Sequence, residues 1–316
     1  LFQYIIRRIL IAVPVLFGVT IFNFLIINLA PGNPVDMFVN PNMSVADITA
    51  KKEALGLNDP LWEQYGRWMG NLFQGDFGYS FSTYEPVISN IADRLGPTLL
   101  LMATALVIAY LIAIPIGILS ATRQYSFIDY LTTTFSFFGI SVPSFFLGLG
   151  AIYLFAIVFP IFPTGGMNTL GGSAGFTDTI MHLILPALVL GTGIAGSMVR
   201  YVRSSMLEVL GQDYLRTARA KGLHHFIVNN KHALRNALIP IVTIIGLEIP
   251  LLIGGAVVTE QIFQWPGLGQ LTIQSIGSRD YPTLMALNFL AAITVLFSNL
   301  ITDVMYSVVD PRIKYN

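Results

Sequence analysis

The residues best placed to act on another molecule lie at 212–240, QDYLRTARAKGLHHFIVNNKHALRNALIP. Arg216, Arg219, Lys221, Lys231 and Arg235 are five of the chain's 17 basic residues, and no acid follows Asp213 within the stretch. Long apolar runs flank it on both sides. Clustered cations between two such runs have the chemistry of docking, because they orient a partner by charge. Ala218, Ala220 and Gly222 are small enough for a partner to approach the backbone closely. A basic loop that merely satisfies membrane topology is the plain alternative, and the helix-turn-helix pattern argues against it. Asp213 suits a helix start, Tyr214, Leu215 and Ala218 share one face, and Gly222 suits a helix end. A second short helix is expected from about His224.

Bond-making chemistry finds no residues to work with. The chain has no Cys, which excludes disulfides, thiolate metal sites and a Cys nucleophile. Its four His (182, 224, 225 and 232) have no matching ligand set, so no metal site is expected. Neither G-x-x-x-x-G-K-[ST] nor H-E-x-x-H occurs, and no Ser–His pair is evident. The Gly-rich run at 163–175 lacks the Lys-Ser or Lys-Thr of a phosphate cradle and reads as a flexible external loop. An enzyme is therefore not expected.

The elements that must position the basic loop are membrane helices. The chain is 54% hydrophobic and 11% charged with zero net charge, against about 25% charged in average soluble chains. Apolar runs near 9–27, 95–119, 130–159, 182–198, 239–258 and 284–308 match the ~20 residues that cross ~30 Å of hydrocarbon. The first run exceeds the roughly 7–15 residues of a signal-peptide core and meets Pro31 after Ala30, which favours an anchor over a cleaved leader. Gly139 and Pro143 break the third span.

With the N-terminus inside, 12 basic residues face inward: Arg7, Arg8, Arg123, Arg200, Arg203, Arg216, Arg219, Lys221, Lys231, Arg235, Arg312 and Lys314. Lys51, Lys52, Arg67, Arg94 and Arg279 face outward, and the inverse orientation would reverse this bias. The expectation is an all-α integral membrane protein with six transmembrane helices and both termini cytoplasmic. Residues 1–94 form the first helix and an extracytoplasmic segment, 95–309 a core containing the cytoplasmic loop 200–240, and 310–316 a tail. Arg200 and Arg203 are expected to snorkel at the headgroups. The helical spacing of Leu61, Tyr65, Trp68, Met69 and Leu72 predicts an amphipathic helix on the membrane or on the bundle.

Few charges fall inside the spans. Glu248, two residues before Pro250, either lines a water-filled cavity or is paired at a helix break; an intramembrane carboxylate is a functional candidate by default. Asp303 is expected to pair with a base or reach the interface, and Gly254 and Gly255 to allow close helix packing. Ser141, Ser144 and Phe145, in the Gly/Ser/Phe-rich third span, are the small and aromatic side chains that would line a wide passage. An ion-coupled secondary transporter would show an inverted repeat and several intramembrane carboxylates, and neither is evident.

The loop resembles the cytoplasmic "EAA" motif of permease subunits of bacterial ABC importers, in particular the peptide/nickel group. Anchored on Gly222, the general motif E-A-A-x3-G-x9-I-x-L-P meets Arg216, Thr217, Ala218, His232, Leu234 and Arg235, so four of its positions differ. The peptide-permease variant, DY-x-RTARAKG with HALRNAL-x-P, matches almost letter for letter. NLAPGNP (28–34), GDFGYSF (75–81), VTEQIFQWPGLGQL (258–271), RDYP (279–282) and NLITDVMYSVVDPRIKY (299–315) are similar to the same family, in its B-type member.

This resemblance implies the ABC importer type I permease fold in a bacterial or archaeal cytoplasmic membrane. It implies a second permease subunit, two ATPase subunits and an extracytoplasmic substrate-binding protein as partners, with lipid around the spans and no nucleic acid. Asp213, Tyr214, Arg216, Ala218, Arg219, Ala220, Lys221 and Gly222 would form the coupling helix that seats in an ATPase subunit. The chain itself would hold no cofactor, with ATP and Mg on the ATPase subunits. The cargo would be oligopeptides or dipeptides, with nickel as the alternative; no Met- or His-rich external stretch speaks for metal.

Overall fold

The computed structural model describes residues 2–30, 35, 45–172, 175–222, 224, 227–228, 233–238, 241, 244 and 256–309. Helix α1 (Phe2–Leu29) is an almost unbroken apolar run, exposed along most of its length, as a helix facing lipid would be. Two short helices follow, α2 (Val45–Ala54) and α3 (Leu61–Phe73). Helix α4 (Val87–Thr122) starts after Pro86, whose φ of −55° suits a helix entry. Ser126 caps α5 (Phe127–Ser141) by accepting from the Asp129 N–H.

The expected break in the third span is present, but Pro143 alone makes it. Val142 is extended (φ −81°, ψ 123°), as the residue before a proline prefers. The chain then turns by 97° into α6 (Ser144–Ile152), which continues as a π-helical turn over Tyr153–Val158. Gly139 stays inside α5 for a different reason: a Cβ there would lie 3.2 Å from the Thr192 carbonyl oxygen. It is a packing glycine.

Helix α7 (Phe176–Leu210) has 35 residues, roughly 52 Å at 1.5 Å per residue, so it extends well beyond the hydrocarbon. It packs against α4 through small side chains at helical spacing. Ala105, Ala109 and Ala113 are fully buried, and Gly117 continues their row. A Cβ on Gly117 would lie 2.6 Å from Val202 Cβ, and one on Gly191 3.0 Å from the Ala105 carbonyl oxygen. Gly196 likewise lets α5 approach, since its Cβ would meet the Ser136 carbonyl at 2.8 Å. Backbones this close exchange bulk for dispersion contact, the usual route to helix association in lipid.

The chain then forms α8 (Asp213–Ala220), α9 (Val257–Ile262), α10 (Leu268–Gly277) and α11 (Tyr281–Val309). Among the described residues, helices α1, α4, α7 and α11 are each long and apolar enough to cross a membrane, and the bent pair α5–α6 raises the number to as many as five. The span expected at 239–258 falls largely outside the described residues, as do Glu248, Gly254, Gly255, the tail 310–316 and the side chain of Asp303.

At the end of the bundle that holds Tyr281, a short cap is built around Glu260. Its buried carboxylate accepts from Thr98 Oγ1 at 2.9 Å and from the Gln270 N–H at 3.1 Å, near the start of α10. Trp265, also fully buried, donates from Nε1 to the Pro97 carbonyl at 2.9 Å. The Gly-rich loop expected to be flexible is fastened to this cap. The Gly166 N–H donates to the Phe263 carbonyl at 2.7 Å, and His182 Nδ1 lies 3.0 Å from the Gly165 carbonyl. A Cβ on Gly165 would be 2.6 Å from that Phe263 oxygen, so glycine here permits a tight crossing.

Candidate functional site

Helix α8 is eight residues long, too short to persist alone in water, where isolated helices need about 12–15 residues. Its position is fixed by Leu215, which is fully buried and belongs to one apolar cluster with Ala121, Met198, Val202, Met206, Val228, Ala233 and Ala237. Ala218 packs against the same cluster from the half-buried flank. The return segment is tied down twice. Ser205 Oγ donates to the Ala237 carbonyl at 2.8 Å, and Asn236 Nδ2 donates to Tyr214 Oη at 2.7 Å.

The remaining described side chains of the loop point away from the bundle. Asp213, Tyr214, Arg216, Ala220 and Lys221 are exposed, and the side chain of Arg219 lies outside the described residues. The Asp213 carboxylate sits 3.5 Å from Arg216 one turn on; both are highly exposed, so this pair contributes little stability. Gly222 ends the helix with φ +79°, a left-handed conformation that glycine adopts without steric cost. A Cβ there would meet nothing within 4 Å. Tyr214 therefore does not share the buried face with Leu215, as its spacing suggested. The result is a short helix held by Leu215 and the Ala218 beside it, with a polar, small-residue face turned outward.

The turn between α4 and α5 holds a contact that the sequence did not disclose. Asp129, in the first turn of α5, accepts from Arg203 Nε at 2.8 Å and Nη2 at 2.9 Å. It also accepts from Ser120 Oγ at the end of α4 and from the Tyr125 N–H at 2.9 Å. Arg203 thus pairs across 74 residues instead of snorkelling to the headgroups. Bidentate guanidinium–carboxylate geometry with every acceptor lone pair engaged is the arrangement that offsets the desolvation of a buried charge. Arg200, one turn earlier, lies over the Phe137 ring at 5.4 Å and joins α7 to α5 a second time.

The candidate passage residues do not line the groove between α4, α5 and α7, although their neighbours Phe138, Gly139 and Leu147 do. Ser141, Ser144 and Phe145 are exposed around the 97° turn. The groove runs between α4, α5 and α7, and Ile116, Leu131, Phe135, Phe138, Thr192 and Gly196 line it. Two motifs noted in the sequence do meet. GDFGYSF (75–81) reaches RDYP (279–282) through Asp280, which accepts from Ser80 Oγ, the Phe81 N–H at 2.9 Å and Thr283 Oγ1 at 2.8 Å. No group of three or more metal-ligating side chains occurs among the described residues.

Comparison with known proteins places this arrangement. The model described as "Binding-protein-dependent transport system inner membrane component" matches residues 113–315, and its N-terminal companion matches 1–103. The chain is 50% identical over 313 residues to the oligopeptide transport system permease protein AppB of Bacillus subtilis, covering 99% of each chain. It is 41% identical to the dipeptide transport system permease protein DppB of Alkalihalophilus pseudofirmus, again covering 99% of each. It is 39% identical to the glutathione transport system permease protein GsiC of Escherichia coli, with the same coverage. Among solved structures, an inward-facing MetNI methionine ABC transporter chain superposes with a TM-score of 0.56 at 19% identity, covering 71% of this chain and 97% of that one. That likeness shares the fold: helices packed as in an ABC importer permease. With both family models and full-length relatives in agreement, the chain belongs to the inner membrane components of binding-protein-dependent transport systems, the multi-pass permeases of the cell membrane.

Proposed function

We propose that this chain is one of two permease subunits of an ATP-driven peptide importer. The observation that carries this reading is α8: a helix anchored at its core side by Leu215 with Ala218 beside it, and with Arg216, Ala220 and Lys221 exposed and open space beside Gly222. Such a surface is a seat for a second protein. The partner is an ATPase subunit, one against each permease, with ATP and Mg bound there, because the chain has no G-x-x-x-x-G-K-[ST] of its own. An extracytoplasmic binding protein delivers the cargo on the opposite side. Six spans, both termini cytoplasmic, and the division at 1–94, 95–309 and 310–316 complete the reading, supported by the inward bias of basic residues.

Closure of the ATPase pair would draw the two coupling helices together and rock the spans between inward- and outward-facing states. Peptides are the cargo favoured by the relatives, whose names specify oligopeptide, dipeptide and glutathione transport; nothing among them favours nickel. Ser141, Ser144, Phe145 and Glu248 remain the proposed passage residues.

The test is reconstitution of the permease pair with its ATPase and binding-protein subunits. Peptide-loaded binding protein is expected to stimulate ATP hydrolysis and uptake, and Ni2+ to do neither. Ala220→Phe places bulk on an exposed helical position, so it should leave the fold intact and weaken ATPase-subunit binding at least tenfold. Normal binding and uptake in that variant would remove α8 from the interface.

A further inference from the structure

Helix α3 has three faces, and the structure accounts for two of them. At roughly 100° per residue, Tyr65, Trp68 and Leu72 fall together, and Tyr65 and Trp68 on this face pack against α1 and α11. Tyr65 Oη lies 2.9 Å from Thr20 Oγ1, and its ring packs edge-on against Phe24 at 5.4 Å. Trp68 meets Phe289 edge-on at 6.3 Å. The polar face carries Glu63, Arg67 and Asn71, and Arg67 pairs with Asp59. The third face is Trp62, Met69 and Phe73, which fall within about 40° of each other and about 90° from the packed face. Trp62 is 75% exposed and Phe73 83%.

The depth of α3 decides what covers that stripe. Thr20 lies nine residues before Leu29, about 13 Å down the helix at 1.5 Å per residue. Phe289 lies eight residues past Tyr281, about 12 Å into α11 by the same rise. Side chains of α3 thus reach well below the ends of two membrane-crossing helices. The stripe is also continuous in character with the exposed end of α1, where Phe22, Leu25, Ile26 and Leu29 face outward.

We propose that α3 is a half-sunk interfacial helix, its Trp62–Met69–Phe73 stripe seated in phospholipid of the leaflet that the C-terminal end of α1 reaches. Trp at the headgroup boundary and an aliphatic or Phe side chain beside it is the residue chemistry of that depth. The packed face fixes the helix to the bundle, and the lipid face sets its height. This assignment does not depend on the transport reading.

The experiment uses the whole transporter in liposomes of phosphatidylcholine, either plain or brominated on the acyl chains. Subtracting the tryptophan emission of Trp62→Phe from that of the wild type isolates Trp62, and the exposed position makes the substitution harmless to folding. The difference signal is expected to lose at least half its intensity in brominated lipid and to peak blue of a water-exposed indole. An unquenched difference signal with a water-like peak would overturn the proposal. A signal that stays unquenched and shifts only when binding protein is added would overturn it in favour of a protein contact.

Discussion

Replacing Leu215 by Ala removes the one fully buried side chain among those described in α8. Large-to-small substitutions of buried Leu cost about 2–5 kcal/mol, more where the surroundings cannot collapse into the space. The buried cluster that Leu215 joins includes Met198, Val202 and Met206 on α7 and Ala121 at the end of α4, elements already in backbone contact. Collapse is therefore limited and the cost belongs in the upper half of that range. Because eight residues cannot hold a helix by themselves, the loss falls on the docking of α8 and not on the fold as a whole. At 1.4 kcal/mol per tenfold, even the low end shifts the docked population by about thirtyfold.

Two measurements follow from one preparation. Amide exchange of residues 213–220 should accelerate by at least thirtyfold in Leu215→Ala, while exchange in α4 and α7 stays within about threefold of wild type, as expected for local opening. In liposomes with all partner subunits, ATP hydrolysis should persist and uptake per ATP should fall at least tenfold. Leu215→Met, which conserves volume, should recover most of the uptake. Unchanged protection of α8 would refute the anchoring argument. Lost protection with full uptake would refute the coupling role and leave the anchor standing.

Asp280→Asn keeps the shape but weakens charge-assisted bonds to Ser80, Phe81 and Thr283; at about 1.5–3 kcal/mol for each bond to a charged group, amide exchange around residues 77–84 should rise at least tenfold. Gly267→Ala would set a Cβ 2.3 Å from Glu260 Oε2 and 2.4 Å from Thr98 Oγ1. Overpacking of this kind costs about 1–3 kcal/mol, so the melting temperature should fall, whereas Gly66→Ala on exposed α3, with nothing within 4 Å, should leave it level or raise it.

The membrane class, the basic loop and its small residues were legible because composition and local spacing carry them. Helix α8 was placed correctly from Asp213 to Gly222 for that reason. Its anchor was harder to read: spacing grouped Tyr214 with Leu215, and only the tertiary partner Asn236 shows that Tyr214 lies along the surface. The contacts that fix the end of the bundle holding Tyr281 were illegible for a related reason. Asp280 and Ser80 are 200 residues apart, and Thr98 and Glu260 are 162 apart. No periodicity reports such a meeting. Gly139 misled because a glycine in a span reads equally as a break or as a packing site, and the choice depends on the Thr192 carbonyl opposite.

Helix α7 packs on α4, α5, α6 and α9. Near its start His182 holds the Gly-rich loop, its middle packs on α4 and α5 through Gly191 and Gly196, and Met206 shares the buried cluster of Leu215. Arg203 and Asp129 lock the turn between α4 and α5 to α7. The two partners are not equivalent. Removing Arg203 leaves the Asp129 carboxylate with the Ser120 hydroxyl and the Tyr125 N–H, and Arg203 is the more exposed partner, its side chain 28% exposed. Removing Asp129 orphans all of these donors at once. Arg203→Met should therefore cost less than Asp129→Leu, which should approach the 3–5 kcal/mol of a broken buried pair. Exchanging the two charges should not restore stability, because an arginine at 129 would face two donors. Melting temperatures of the three variants in liposomes give the order, and a charge exchange that recovers the wild-type value would show that the pair acts by simple attraction and not as a four-donor lock.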